Sequence, residues 1–397
     1  MRNITGAIAE GPDFFDRINE MTRLWDKLKT DNVLLLAPRR VGKTSLMKQM
    51  ARNAGDYGFN PLYVDVSDCA DELRFVERLY SSILSHDTTG RYRQAFEESW
   101  LAKTLKSVQK VGGYGVSLEF KADAPSWQVL GEELTKMIAK LGDQWLLQID
   151  ELPVFVLKLL DDGSSEGRAR VRQFLYWLRR VRLGYPVRWM LAGSIGLDTV
   201  AARINVADAI NDLHIEKLGA FSIETATAFL RDLARAYEKT LDEETIDRIL
   251  TRVGVDWLVP YYLQLVFNEL RNLPGLLGRL QVDQVMESLL GPHHRNYFDY
   301  WRQRLTEELG APEANHALLL LNACCYSEHG ASRQTLSAVL SRWIADATMR
   351  EERLRYLLDV LQNDGYMVEP RRGEWRFISP LLREYWLLRV APPQDFS

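Results

Sequence analysis

The chain has 397 residues, of which 46% are hydrophobic and 26% are charged, and its formal net charge is -4. This length and balance suit a globular protein of two or three packed domains and exclude a disordered adaptor. The net charge argues against a protein coated in nucleic acid, so any contact with DNA would be local.

The apolar stretches of the sequence are all much shorter than the ~20 residues that a membrane-spanning helix needs. No basic segment followed by an apolar core opens the chain, so no export signal is evident. We therefore expect a cytoplasmic protein without a membrane contact. Cys69, Cys324 and Cys325 offer neither a disulfide framework nor a paired zinc-ligand spacing, and they are predicted to be buried, reduced thiols.

Apolar β-rich runs alternate with segments of helical period from residue 32 to about residue 200. This alternation is typical of parallel strands joined by crossover helices. The predicted strands cover residues 32–36, 62–66, 145–149 and 187–192. A Gly-rich turn followed by alternating residues predicts a further hairpin or edge strand at 110–121.

A candidate phosphate-binding loop follows the first predicted strand and precedes a helical run. Its residues are Pro38-Arg39-Arg40-Val41-Gly42-Lys43-Thr44-Ser45. Backbone N–H groups in such a loop converge on phosphates, and the helix N-terminus adds its positive dipole end. We expect Lys43 to reach the β- and γ-phosphates and the Thr44 hydroxyl to bind Mg²⁺. Ala37 replaces the usual first glycine, which predicts a slightly altered loop.

The third predicted strand ends in two adjacent carboxylates, Asp150 and Glu151. Asp150 is placed to hold Mg²⁺, and Glu151 is placed to orient and polarise the attacking water. Glu151 also opens a helix, where an acid is favoured by the helix dipole alone. The fourth strand is followed by Ser194, which either senses the γ-phosphate or simply forms a turn.

The segments after the alternating region are predominantly helical. Helices are predicted at 226–237, 243–253 and 261–271, and then three helices followed by two short strands, 366–369 and 375–378, in the order of a winged helix. The predicted domains are therefore an α/β core at 1–220, a helical lid at 221–290 and a winged-helix domain at 291–397.

With these motifs the chain resembles the archaeal-ATPase type of AAA+-like P-loop ATPases, close to the STAND signal-transduction group. Two further segments contribute to the resemblance: Phe14-Phe15-Asp16-Arg17 before the loop and Ile378-Ser379-Pro380-Leu381-Leu382-Arg383 near the end. The resemblance covers most of the chain. It implies an α/β P-loop NTPase fold of the AAA+ type, with a parallel-sheet core, an α-helical lid and a C-terminal winged helix. It also implies ATP or ADP with Mg²⁺ as ligands.

The resemblance assigns roles to four further residues. Phe15 and Arg17 lie in a segment that passes near the adenine in this family, although a hydrophobic staple at the first helix would also explain them. Pro260 matches the lid proline that packs against the nucleotide, and a proline at the first helical position is an alternative explanation. Arg203 is the candidate arginine finger, and a solvated surface arginine is the alternative.

The winged helix leaves two kinds of partner open. Arg342, Arg371, Arg372 and Arg376 are placed to meet DNA. However, residues 293–397 contain 13 Arg, no Lys and 14 Asp plus Glu, a nearly neutral balance that favours docking to a protein or to the core at least as much.

Three functions remain compatible with the sequence. The first is an ATP-hydrolysing switch, slow or partner-regulated, that controls a protein partner or an assembly. The second is a DNA-acting ATPase of initiator or transposition-regulator type. The third is a nucleotide-bound module with little or no turnover.

Overall fold

The computed structural model describes residues 1–86, 93–97, 99–101, 103–104, 125–160, 164–193 and 197–392. The predicted hairpin or edge strand at 110–121 and the predicted site residue Ser194 lie outside the described residues. The side chain of Arg203 is also outside the description, although its backbone is included.

A five-stranded parallel sheet forms the centre of the described part of residues 1–220. Its strands are β1 (Asn32–Leu36), β2 (Asn60–Asp65), β3 (Trp145–Asp150), β4 (Arg188–Gly193) and β5 (Leu213–Lys217). Their order is β2-β3-β4-β1-β5. β1 and β3 are buried along their whole length, as expected where helices cover both faces of a sheet. The four predicted strands are thus present: β1 has the predicted bounds, and the ends of the other three differ by at most two residues.

β5 is a strand that the hydrophobic pattern does not predict. It lies at the edge of the sheet and pairs with β1 in parallel. Leu213 is buried, and the four residues after it alternate between half-buried and exposed positions. Leu213 and Ile215 are the only apolar residues of this strand. An edge strand needs fewer apolar residues than a central one, so its sequence signal is weaker.

Helices surround this sheet and carry the chain between its strands. They are α1 (Ile18–Leu28), α2 (Lys43–Asn53), α3 (Glu72–His86), α4 (Arg93–Glu97), α5 (Trp127–Lys140), α6 (Leu152–Leu160), α7 (Ser165–Gly184) and α8 (Leu197–Arg203). Because the strands are parallel, the carboxyl ends of β1, β3 and β4 lie at the same edge of the sheet. Ligands of open α/β sheets bind at this edge.

The next part of the chain is helical. It consists of α9 (Ile223–Ala236), α10 (Glu243–Val253), α11 (Pro260–Arg271) and α12 (Arg279–Leu289). The Ser222 side chain accepts a hydrogen bond from the backbone N–H of Thr225 and caps α9. The Asp242 side chain accepts one from the backbone N–H of Thr245 and caps α10. Pro260 is the first residue of α11, where a proline is favoured on structural grounds alone. A contact between Pro260 and a nucleotide stays a prediction.

The last part is a winged helix with additional helices at both ends. Its elements are α13 (Asp299–Leu309), α14 (Glu313–Cys325), β6 (Ala331–Ser332), α15 (Arg333–Ser341), α16 (Ala347–Asn363), β7 (Met367–Arg371), β8 (Glu374–Phe377) and α17 (Pro380–Arg389). The small sheet has the order β6-β8-β7, with antiparallel pairs. The predicted helix-helix-helix-strand-strand order is therefore present.

One continuous cluster of buried side chains joins these three parts. It runs from Met47 beneath the large sheet through Leu230 and Tyr262 of the helical part to Leu320 and Trp386 of the winged helix. A second cluster fills the opposite face of the large sheet. The helical part and the winged helix therefore share their core with one face of the sheet only. The proposed domain boundaries at residues 220 and 290 stay predictions.

Two simpler expectations concern the cysteines and the membrane. Cys69, Cys324 and Cys325 are buried free thiols, as predicted. Within the described ranges, none of the helices combines the length and the apolar character needed to cross a membrane.

Candidate active site

The loop that joins β1 to α2, called the phosphate loop below, has a left-handed backbone at two positions shortly before the helix. Positive φ angles fall at Arg40 (69°) and Gly42 (94°), and Lys43 begins the helix directly after them. Ala37 has no positive φ, and its N–H faces the carbonyl of Gly193 on the adjacent strand at 3.4 Å. The methyl group of Ala37 is therefore accommodated without backbone strain.

The carboxylate of Asp150, at the end of β3, is held by hydrogen bonds on both of its oxygens. Lys43 Nζ donates to Oδ1, as does the backbone N–H of Glu151 at 2.9 Å. Thr44 Oγ1 donates to Oδ2 at 2.8 Å, and the Tyr63 hydroxyl donates to the same oxygen at 3.0 Å. Lys43 Nζ also donates to Glu151 Oε1 at 2.9 Å. The four residues predicted to bind and hydrolyse a phosphate ligand thus form one hydrogen-bonded group around Asp150.

This group of charges is largely removed from water. The side chains of Lys43 and Asp150 are 7% and 1% exposed. Burial alone would lower the pKa of Lys43, but the charges of Glu151 and Asp150 raise it above its ordinary value. Burial would raise the pKa of Asp150, whereas Lys43 and the hydrogen bonds of Thr44 and Tyr63 bring it below its ordinary value. The ammonium and the carboxylate are therefore both charged at neutral pH.

Glu151 occupies a backbone conformation that is rare for a residue with a side chain. Its φ angle is 58°, in the left-handed region, immediately before α6 begins at Leu152. Such a conformation costs about 1–3 kcal/mol and is concentrated at functional sites. The side chain of Glu151 is 20% exposed and faces a cavity, unlike the enclosed carboxylate of Asp150. Two adjacent acids therefore meet different surroundings, which suits separate roles as base and metal ligand.

The cavity beside these carboxylates has a volume of about 290 Å³, near the lower end of the range for ligand pockets. It is bounded by the N-terminal segment, the phosphate loop, the start of the helical part and α13. Its lining includes Gly6, Ala7, Ile8, Ala9, Asp13, Phe14, Phe15, Arg17, all residues from Pro38 to Ser45, Glu151, Phe221, Phe229, Pro260, Tyr261, Gln264 and Tyr300.

Phe15 and Arg17 lie at this cavity but make different contacts. The ring of Phe15 packs edge-on against Phe221 and Phe229, at centroid distances of 6.3 and 5.1 Å. The guanidinium of Arg17 is buried and donates to the carbonyls of Val41, at 3.1 Å, and Gly219, at 2.8 Å. Arg17 therefore braces the phosphate loop against the segment that leads into α9.

The two arginines of the phosphate loop point toward the C-terminal part of the chain. The guanidinium of Arg39 lies 5.2 Å from the ring centroid of Tyr300, and that of Arg40 lies 5.0 Å from the same ring. Arg40 also lies 4.1 Å from the ring centroid of Tyr261 on α11. These cation–π contacts join the loop to both the helical part and the winged helix.

The other predicted residues are distributed as follows. Pro38, Val41, Gly42, Ser45 and Pro260 all line the cavity. Ser45 Oγ accepts a hydrogen bond from the backbone N–H of Ala9 at 3.0 Å, which holds the N-terminal segment over the loop. Arg203 ends α8, and its role as a finger stays a prediction.

Tyr63, Gln264 and Tyr300 lie at the site and are absent from the sequence-based assignment. Tyr63 is recoverable in principle, since it lies near the carboxyl end of the strand next to β3. Gln264 and Tyr300 belong to α11 and α13, distant segments whose approach to the loop leaves no local signal in the sequence.

The oxygen ligands at the strand edge are suited to Mg²⁺, which is commonly held by one or two protein groups together with phosphate oxygens and water. Thr44 and Asp150 supply such a pair, with their oxygens 2.8 Å apart. The described residues contain no group of three or more His, Cys, Asp or Glu side chains arranged to hold a metal ion by themselves.

The chain is similar along its length to solved structures. The Walker-type ATPase of Pyrococcus abyssi superposes with a TM-score of 0.61 at 19% sequence identity, covering 96% of this chain and 99% of that one. The ORC2 protein of Aeropyrum pernix, in its ADPNP and ADP complexes, superposes with a TM-score of 0.57 at 12% identity and 96% coverage of both chains.

Comparisons by sequence add nothing to these likenesses. No protein-family model matches the chain, and no curated protein matches it significantly. The structural likenesses confirm the expected fold: an AAA+-type P-loop core with a helical lid and a C-terminal winged helix.

Proposed function

We propose that this protein binds ATP with Mg²⁺ in the cavity between the sheet and the lid and hydrolyses it to ADP and phosphate. The observation that carries this proposal is the direct contact of Lys43 with both Asp150 and Glu151, and of Thr44 with Asp150. Phosphoryl transfer needs chiefly positioned charges and an oriented water, and these four residues supply both.

The contacts of Lys43 indicate how binding prepares the site. Lys43 pairs with both carboxylates, so Glu151 would have to lose this contact before it could act as a base. Phosphate oxygens would draw Lys43 toward the loop and free Glu151 to accept a proton from water. The ion would add charge neutralisation between Thr44, Asp150 and the phosphates.

Addition of ATP with Mg²⁺ is expected to stabilise the folded protein and to release phosphate. At a ligand concentration of about 100 times its dissociation constant, the gain in unfolding free energy is ~2.7 kcal/mol. Thermal unfolding and a phosphate-release assay measure the two effects, and EDTA provides the control that removes the ion. If neither ATP nor ADP shifts the unfolding temperature in the presence of Mg²⁺, the proposal is wrong.

We further propose that nucleotide binding acts as a switch on a protein partner or an assembly, because the winged helix is fastened to the lid. Ser379 Oγ donates to the carbonyl of Val253 at 3.1 Å. Gly254, with a φ of 113°, lies so close to Pro380 that a Cβ there would meet the proline Cδ at 2.4 Å. The lid and the winged helix are thus expected to move together.

The winged helix also reaches the phosphate loop itself. Tyr300 of α13 lies against Arg39 and Arg40, and Gly365 approaches Pro38. A buried ion pair, Arg304 with Asp364 at 3.1 Å, lies behind this contact. If phosphate binding moves the loop, the position of the winged helix relative to the core would change as well. This contact therefore supports the proposal of a nucleotide-dependent switch.

Tyr300→Ala is expected to speed the release of bound ADP. The substitution removes two cation–π contacts worth about 1–2 kcal/mol together, which corresponds to roughly 5- to 30-fold faster dissociation. The dissociation rate of a fluorescent ADP analogue measures the effect. Tyr300→Phe keeps the ring and is the matched control, expected to stay within about twofold of wild type. Equal rates for all three proteins would contradict a role for this contact in the switch.

The DNA-acting ATPase remains the alternative. The exposed Arg371 and Arg372 of the wing are compatible with it. In contrast, Arg376 pairs with Asp256 of the lid at 2.7 Å, and α16, the helix that would enter a groove, lies against α8 of the core. These contacts favour docking within the protein. The phosphate-release assay distinguishes the third possibility, a nucleotide-bound module with little or no turnover, because such a module would release little or no phosphate.

A further inference from the structure

The proposed nucleotide site has walls of two chemical kinds. One part is polar and consists of the phosphate loop with Glu151. Another part is largely apolar and is formed by Ile8, Phe14, Phe15, Phe221 and Phe229. If the proposed function is correct, the phosphates bind at the loop and the flat, weakly polar base lies among the aromatic side chains.

Few polar side chains of the cavity outside the phosphate loop are available to recognise the base by hydrogen bonds. Asp13 lines the cavity, but its carboxylate accepts hydrogen bonds from the backbone N–H and Nε of Arg2, at 2.6 and 2.8 Å. Arg17 is used by the carbonyls of Val41 and Gly219. Neither side chain is therefore free to recognise a ligand.

Gln264 differs from both. It lies on α11, one turn after Pro260, and it is 7% exposed and lines the cavity. Its backbone carbonyl accepts a hydrogen bond from the side chain of Asn3 at 3.1 Å, whereas its carboxamide has no hydrogen-bond partner among the described residues. Gln264 is therefore mostly enclosed by protein, and it lines a cavity in which a ligand could meet its carboxamide.

We propose that Gln264 determines the base specificity of this site by pairing its carboxamide with the amino group and the adjacent ring nitrogen of adenine. The inference rests on the proposed function. A carboxamide presents a donor and an acceptor side by side, which matches the N6 amino group and N7 of adenine. Guanine offers two acceptors, O6 and N7, at the same edge, so one of its atoms would face the amide oxygen.

Gln264→Met tests this assignment, because methionine keeps the length of the side chain and removes both polar atoms. We expect ATP to bind about tenfold more weakly and GTP to change less than about twofold, so the preference for ATP falls. Gln264→Glu keeps an acceptor only, and it is expected to weaken ATP binding without improving GTP binding. Titration calorimetry with Mg²⁺ and each nucleotide measures these affinities.

Two controls separate the possible outcomes. Asn272→Leu changes an exposed amide at the end of α11, away from the cavity, and should leave both affinities unchanged. Binding of Mg²⁺-tripolyphosphate reports the phosphate loop alone and should be unaffected in every variant. Parallel losses for ATP and GTP, or an unchanged affinity for ATP, would overturn the role of Gln264. If wild-type protein binds tripolyphosphate and no nucleotide, the proposed function is wrong and this inference is wrong with it.

Discussion

Glu151→Gln protein is expected to bind ATP and Mg²⁺ like wild type and to hydrolyse the nucleotide about 10²–10⁴ times more slowly. Glutamine has nearly the same shape and can still accept the hydrogen bond from Lys43, but it cannot take a proton from water. Asp150 and Thr44, the proposed ligands of the ion, are expected to keep their hydrogen bond in this variant. Single-turnover phosphate release, measured beside ATP binding by calorimetry, checks both halves of this expectation.

Glu166→Gln is a matched control for this experiment. Glu166 is exposed in the first turn of α7 and has no place in the cavity. Its substitution should leave both binding and turnover unchanged. If Glu151→Gln protein retains most of the wild-type rate, the base is another group, and the left-handed conformation of Glu151 serves some other purpose.

The parts of this site that could be predicted from the sequence are those built by neighbouring residues. Lys43 and Thr44 follow an apolar strand and open a helix, and Asp150 and Glu151 end another apolar strand. Each pattern is complete within about ten residues. Parallel strands then bring the two segments to the same edge of the sheet without further information.

The parts that could not be predicted depend on how distant segments pack. Tyr300 meets Arg39 and Arg40 only because the winged helix folds back over the loop. Arg17 is a second example. The family resemblance implies only that its segment passes near the adenine, whereas its hydrogen bonds to Val41 and Gly219 arise from tertiary packing and give it a bracing role. Ser194 and Arg203 stay predictions.

The burial of the ion pair between Lys43 and Asp150 has a consequence for stability. Asp150 is buried and forms an ion pair with Lys43. This pairing offsets the free-energy cost of burying a charged carboxylate. Removal of one partner of a buried ion pair leaves an uncompensated charge, which is more harmful than removal of both. We therefore expect Lys43 to have two separable effects, one on ligand binding and one on folding.

Lys43→Met is expected to lose about 2–5 kcal/mol of ATP-binding free energy, because a charged contact to the phosphates disappears. In the absence of nucleotide, the free energy of unfolding of the same variant should also be about 3–5 kcal/mol lower than that of wild type. The double variant Lys43→Met/Asp150→Asn should recover much of the stability and none of the binding. Chemical denaturation without ligand and calorimetry with Mg²⁺-ATP distinguish the two effects.

Lys29→Met, at a lysine that is 65% exposed at the end of α1, should change neither quantity and is the control. If the single Lys43 variant is as stable as wild type, Asp150 becomes protonated or hydrated at little cost when its partner is lost. The ion pair would then be a feature of binding alone. If the double variant is no more stable than the single one, the loss arises from packing of the lysine stem rather than from the isolated charge.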